Sequence, residues 1–437
     1  MGMLKHMLDL AMFPATEIPA SPLNFARFSL FDWLVVGRAG TNEPLSGHIR
    51  NHVLSEGGYK VASLFGGGRC PARSAALANG TIAHALDYDD THFAHVGHMS
   101  VAIYPAALAV GEEMDAEISD VTAAFLIGAE VSIRLGLALG RGHYLRGFHQ
   151  TATSGAFGAT VAAGRLYGLD RDQMTMALGL CATRASGLKS QFGTMGKPYN
   201  AGIAASNGVE CAALARAGFT SCADGLEGPQ GFIETHADAP DPAAFWQDPP
   251  PEHFRFEDIK YKFHACCHGT HAMIEALADV QRSNKVPIDE IDAIRLRTNP
   301  RWLQVCDIKA PKTGLEIKFS YVWLAAMVLS GISTSADREF DDARTKNPKI
   351  KNLAAKISVT GENSLTDLQA EGEITMVGGR SIAFSYDLAQ SLPIKELSRR
   401  LMAKAKILSG DEKAAKFWQA CVNDNQGKTG DLGDLLE

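Results

Sequence analysis

No two cysteines in this chain of 437 residues are separated by two others: the eight, Cys70, Cys181, Cys211, Cys222, Cys266, Cys267, Cys306 and Cys421, follow no regular spacing. The usual zinc and dithiol motifs are therefore missing, and a reducing, cytoplasmic setting is expected. Basic residues are in the minority, 42 Lys and Arg against 49 Asp and Glu, and the resulting net charge of −7 argues against a polyanion-binding surface. No nucleic-acid partner is expected. Nor is there a long apolar run free of charge, because the best stretch, Val121 to Gly140, carries Glu130 and Arg134. It reads as a buried helix, with no membrane partner. Asp9 and Pro14 interrupt the N-terminal apolar residues before a secretory segment can form, and His6 stands where a myristoylation signal needs Ser or Thr. The G-x-G-x-x-G and G-x-x-x-x-G-K-[ST] fingerprints are absent, and the run Gly66-Gly67-Gly68 lacks the lysine of a phosphate loop.

What is present is the composition of a folded globular protein, 46% hydrophobic and 21% charged, long enough for two or three domains. Apolar residues recur at helical spacing over Pro22 to Val36, Gly67 to Asp87, Val101 to Glu113, Val121 to Leu139, Thr151 to Tyr167, Arg171 to Ser186 and Gly202 to Ala217. Many are Ala and Gly on all sides, which predicts closely packed helices. The prolines 240, 242 and 249–251 end this pattern, and a boundary is expected near residue 255. Beyond it, alternating runs at Glu290 to Leu296, Ala355 to Thr360, Glu373 to Val377 and Ser381 to Tyr386 predict strands. Helical patterns at His268 to Val280 and Phe319 to Leu329 make this a smaller α+β unit. Ile394 to Cys421 returns to helix and is expected to pack on the first domain, whereas the Gly- and Asp-rich residues 423–437 are expected to be loosely held.

The densest polar cluster is HALDYDDTHFAHVGH, His84 to His98. If the preceding helix persists, His84, Asp87 and Thr91 share one face as base, carboxylate and hydroxyl, while Asp89 and Asp90 point elsewhere. A helix end with capping aspartates is an equal reading. His92, His95 and His98 recur every three residues as a metal set would, but Gly97 favours an irregular loop over the helix that would align them. His149 precedes a small-residue helix and would sit at its N-terminus, with Tyr144 and Phe148 as staples in the bland reading. Lys197 stands at the entrance of a further helix, in reach of a carboxylate or phosphate, although most lysines are merely solvated. Lys262, His264, His268 and His271 crowd the predicted boundary, a preferred place for small-molecule sites.

In order, the blocks NGTIAHALDYDDTH, GHMSVAIYPAALAVGEE, GFHQTATSGAFGATVAAGRLYGL, FGTMGKPYNAGIAASNG, KFHACCHGTHAMIEAL and EIKFSYVWLAAMVLSG resemble the MmgE/PrpD family. That family includes 2-methylcitrate dehydratase, cis-aconitate decarboxylase and iminodisuccinate epimerase. The resemblance covers most of the chain. It implies a mainly α fold: an all-helical domain of residues 1–255 plus 395–437 and an inserted α+β lid of residues 256–394, in a homodimer. It also implies a site between the domains, without metal or organic cofactor, acting on a small polycarboxylate.

Carried over by motif, the catalytic residues would be Asp87, Thr91, His98, His149, Lys197 and Lys262. The lysines would also hold substrate carboxylates, with Tyr144 and His264 as further substrate contacts. His149 and His98 would form the acid/base pair, with Asp87 orienting one of them. Met99 and Gln150 replace prolines usual in the family, His264 stands where an aromatic hydroxyl is usual, and the loop from Thr91 to His98 is about a residue longer than in the decarboxylase. The family's three reactions share an enolate-like state beside a carboxylate. Dehydratase is expected as its commonest assignment, with epimerase or decarboxylase as alternatives; GRGHYLRGFH looks more like the epimerase. A non-catalytic scaffold of the same fold is the reading from another class.

Overall fold

Helices Ala72–Ala83 and Gly196–Arg216 cross where neither can carry a side chain. A Cβ on Gly80 would stand 2.9 Å from the Cα of Gly202, and one on Gly202 would stand 2.3 Å from the carbonyl oxygen of Leu77. Gly128 and Gly158 make the same close approach between helices Ile118–Arg146 and Gln150–Leu166. The small-residue composition is thus used as contact surface. Gly202→Ala is expected to destabilise the protein by about 2 kcal/mol, because a backbone oxygen cannot yield, whereas Gly47→Ala should stabilise it by a few tenths to about 1 kcal/mol. Gly47 also lies in a helix, Pro44–Glu56, but an added Cβ there meets nothing within 4 Å. Denaturant midpoints of the two variants check the pair.

The computed structural model describes residues 2–284, 286–424 and 426–437. The chain divides into two units, Met1–Tyr261 with Leu408–Glu437, and Lys262–Ile407. The first unit is built of helices, chiefly Ala20–Gly40, Ala72–Ala83, Ser100–Glu113, Ile118–Arg146, Gln150–Leu166, Arg171–Arg184 and Gly196–Arg216. It also holds a two-stranded hairpin, Ala62–Ser63 with Arg69–Cys70, that the helical pattern hides. The three consecutive glycines form the hairpin turn, all at positive φ of 83–96°, which a side chain would resist.

Helix Ile118–Arg146 is long and apolar enough to cross a membrane by length and composition, but 94% of its apolar window is buried in the protein. Two of its charges, both fully buried, pair with each other, Arg134 Nε to Glu130 Oε1 at 2.7 Å. Arg134 also donates to the carbonyls of Phe245, Gln247, Asp248 and His253, and Glu130 accepts from the backbone N–H groups of Arg255 and Phe256. The proline-rich segment is thereby pinned to this helix, and Phe256 and Ile259 are buried in the first unit. The boundary falls after Tyr261, later than residue 255.

The C-terminal residues correct a second expectation. They fold as helix Thr429–Leu435, Leu432 and Leu436 are fully buried, and the Leu436 carbonyl accepts the Gly66 N–H. Trp418, just upstream, packs against Phe28 and Phe31. The burial of two leucines outweighs the loop-like composition.

The second unit contains a four-stranded sheet in the order Ile357–Gly361, Ile291–Thr298, Gln369–Met376, Ser381–Asp387. The first pair is parallel and the others antiparallel. Along Gln369–Met376 the residues alternate, with Ala370, Gly372, Ile374 and Met376 buried, as a sheet with one covered face requires. Helices His271–Asn284 and Tyr321–Leu329 belong to this unit, as does most of Ile394–Ser409, which the sequence pattern assigns to the first domain. Arg400 explains the difference: its guanidinium pairs with Glu275 and lies over the Phe263 ring.

Candidate active site

Helix Ala72–Ala83 ends one residue before His84, so the helical face expected of His84, Asp87 and Thr91 does not exist. Residues 84–99 form a loop in which Asp87 and Val96 adopt positive φ, 49° and 59°. Aspartate tolerates that conformation better than most residues. The turn at Asp87 aims Asp89, expected to point away, into the centre of the cluster.

Asp89 is fully buried, and its two oxygens face two imidazoles. Oδ1 is 2.8 Å from His84 Nδ1, and Oδ2 is 2.7 Å from His98 Nδ1, the second contact lying off the line of a good hydrogen bond. Burial pushes the Asp89 carboxyl up, but the imidazoles outweigh it and hold it well below the ordinary range. Burial lowers His84 to about 4 despite Asp89, and Lys197 and His98 contribute in the same direction. Asp90 is kept apart by Ser29 and Ser100 and is raised by burial.

Asp87, expected to orient a histidine, instead pairs with Lys197 at 2.8 Å, and lies 3.7 Å from His98 Nε2. The side chains of Asp87, Lys197 and His98 are 35%, 16% and 12% exposed, so this is the open side of the cluster. Lys197 is the second residue of helix Gly196–Arg216, as its position at a helix entrance suggested. Its ammonium lies 5.6 Å from the Phe192 ring, which meets the His149 ring edge-on. His149 is the N-cap of helix Gln150–Leu166 and stacks at 6.2 Å on His84. Burial first, then Lys197, His84 and His98, depress its pKa well below 6.5, which favours the uncharged ring. Thr91 shares the loop, and its backbone pairs with Lys260.

The loop is held by residues that the metal reading invoked. His92 bonds the Arg255 carbonyl and His95 bonds Ser154 at 2.6 Å, so neither converges with His98. The His95 ring fills a slot where a Cβ on Gly97 or Gly136 would meet it at 2.3 and 2.1 Å. Among the described residues, the group able to ligate an ion is His84, Asp87, Asp89 and His98, with ligand atoms within 4.8 Å of one another. In this arrangement Lys197 pairs with Asp87, and both oxygens of Asp89 face imidazoles.

Tyr144 lies with its ring under the Lys189 ammonium at 3.7 Å. Lys262 is buried in the second unit. His264 is in that unit too, with both ring nitrogens engaged, Nε2 by Glu275 at 3.1 Å and Nδ1 by Thr334 at 2.7 Å. Burial raises the Glu275 carboxyl, but His264 and Arg400 bring it down to about 2. A cavity of about 630 Å³ in the first unit, lined by Phe13, Asp120, Arg165 and Lys428 among others, contains none of the expected site residues.

Asp89 and Asn200 were not among the expected site residues. No local pattern marks Asp89, whose direction depends on the positive φ at Asp87. Nothing local marks Asn200, which sits one turn into its helix.

A model of the MmgE/PrpD N-terminal domain matches residues 10–244, and one of the MmgE/PrpD C-terminal domain matches residues 264–385. The chain is similar to a cis-aconitate decarboxylase of Aspergillus terreus, 26% identical over 96% of this chain and 92% of the relative. The cis-aconitate decarboxylases of Homo sapiens, at 27%, and Mus musculus, at 25%, each match 87% of this chain, over 83% and 82% of their own lengths.

Proposed function

The chain belongs to the MmgE/PrpD family, and from that premise we propose that it is a lyase acting beside a carboxylate of a small polycarboxylate, with decarboxylation of a cis-aconitate-like acid as its reaction. The observation that carries the reading is one cluster that gathers a lysine ammonium and two imidazoles: Lys197, His98 beside Asp89, and His149 against His84. The names of the relatives favour carbon dioxide as the leaving group over the water expected from the family's commonest assignment.

In such a reaction the bond from a carboxylate carbon to the chain breaks, carbon dioxide leaves, and the electron pair shifts across the double bond. The resulting carbanion-like centre takes up a proton. Lys197 would hold a remaining carboxylate and oppose the developing charge, which stabilises the transition state more than the substrate. His98, between Asp89 and Asp87, is placed to deliver the proton. Lys197→Met is expected to lower kcat/KM by about 10²-fold, the scale for removing one donor to developing charge.

Proton NMR in D2O with cis-aconitate, citrate, 2-methylcitrate and iminodisuccinate, after EDTA treatment, tests the reading. Loss of a carboxylate from cis-aconitate with deuterium at the new methylene is the expected result. An alkene formed only from a hydroxy acid would replace decarboxylation by dehydration, and deuterium exchange without an alkene would mean epimerisation. Four unchanged spectra would overturn the proposal.

A further inference from the structure

Asn200 is buried, and its amide nitrogen has two neighbours: the Leu188 carbonyl oxygen at 3.1 Å and His149 Nδ1 at 3.2 Å. A carbonyl only accepts, so the amide must present its NH2 group on that side, and turning the amide over would set two oxygens against each other. The same NH2 group faces His149. A proton on Nδ1 would then meet another N–H, so Nδ1 accepts and the ring proton resides on Nε2.

The surrounding backbone holds this arrangement. The His149 N–H donates to the Gly187 carbonyl and the Lys189 N–H to the Gly147 carbonyl, and Phe148 bridges Leu188 antiparallel. These bonds bring the Leu188 carbonyl to Asn200. Gly187, at φ 137°, is required there, since a Cβ would meet Ala152 Cβ at 2.4 Å and Asn200 Cγ at 3.5 Å.

We propose that Asn200 is a positioning residue that fixes His149 as the Nε2–H tautomer, so that His149 serves as a hydrogen-bond donor to the substrate oxygen on which charge develops and not as an acid or base. A neutral Nε2–H imidazole would have to become an imidazolate to give up its proton, and its Nδ1 is already occupied. Of the two histidines expected to form an acid/base pair, proton exchange therefore falls to His98, which assigns them different tasks. Burial and the cation beside it favour an uncharged His149, consistent with a purely electrophilic task. The assignment of the oxygen rests on the proposed reaction; the tautomer does not.

The test uses the full chain labelled with 15N-histidine. Two-bond 1H–15N correlation spectra of the wild type and of His149→Gln identify the His149 signals and report the tautomer directly. The expected pattern is a protonated Nε2 and an unprotonated Nδ1 at neutral pH. A proton on Nδ1 overturns the proposal. Asn200→Asp replaces the donor by an acceptor of the same size and should move the proton to Nδ1, with kcat lowered at least about tenfold and KM changed less than about threefold. A reversed tautomer with wild-type kcat would also overturn it. If no polycarboxylate is turned over, the reaction proposed above fails, and the wild-type spectrum still decides the tautomer.

Discussion

Asparagine at position 89 is expected to lower turnover on the order of 10³-fold while changing KM by less than about tenfold. Asp89 hydrogen-bonds His84 Nδ1 at 2.8 Å through one oxygen and sets the other 2.7 Å from His98 Nδ1. A carboxylate can do this because both oxygens are acceptors; an amide has one acceptor and one donor. Asp89→Asn therefore sets an N–H against one of the two imidazoles, whose proton must move to Nε2. If that ring is His98, the atom facing Asp87 and the open side changes from acceptor to donor, and proton exchange there fails. The variant also removes a charge that the two imidazoles keep ionised well below the ordinary carboxylate range.

Asp87→Asn separates the roles. Asp87 holds Lys197, so its loss should appear mainly in KM for the polycarboxylate, through a cation no longer pinned in place. Steady-state kinetics of both variants, with circular dichroism to confirm folding, check the contrast. Wild-type kcat in Asp89→Asn would end the assignment of Asp89 as the orienting carboxylate.

Periodicity made the helical half readable wherever apolar residues define the face. Val101 to Glu113 is expected and Ser100–Glu113 found; Thr151 is expected as a start and Gln150 found. It failed where the face is not apolar. Helix Gly196–Arg216 begins six residues before the expected Gly202, because its first turn is Gly-Lys-Pro-Tyr and Pro198 reads as a breaker although the first turn of a helix accepts it. The same rule explains the site. Asp87, His98, His149 and Lys197 were legible as polar residues at the ends of apolar helices, and the structure gathers them. Asp89 was not, because its orientation depends on where helix Ala72–Ala83 stops and on a positive φ two residues earlier. Asn200 depends on a carbonyl from a loop twelve residues away, a contact that no local pattern encodes.

Acidification is expected to be the strongest solvent perturbation of this fold. His92 Nε2 donates to the Arg255 carbonyl at 2.9 Å, and its Nδ1 accepts the His95 N–H at 3.3 Å. His143 bonds the His236 carbonyl at 2.8 Å through Nδ1 and faces the Thr153 hydroxyl at 2.9 Å through Nε2. The His92 ring has no room for a second proton without breaking a bond, and burial lowers both rings to about 4, as it does His84. The sign follows from linkage. Below the unfolded value near 6.5 the unfolded chain takes up protons that the folded chain refuses until about 4, so stability falls as the pH falls through that window. Each ring contributes up to about 1.4 kcal/mol per pH unit, so three give roughly 4 kcal/mol per unit at most. Asp90 and Glu112, both raised by burial, oppose this, since the folded state binds their protons first. A net loss of several kcal/mol between about pH 7 and pH 5 corresponds to a Tm lower by roughly 10 °C for a unit of this size. Thermal melts at stepped pH measure it, and His143→Gln should flatten the dependence by about one proton's share. A Tm unchanged from neutral to mildly acid pH would mean that these buried rings carry protons in the folded state, and the hydrogen bonds assigned to His92 and His143 would have to be redrawn.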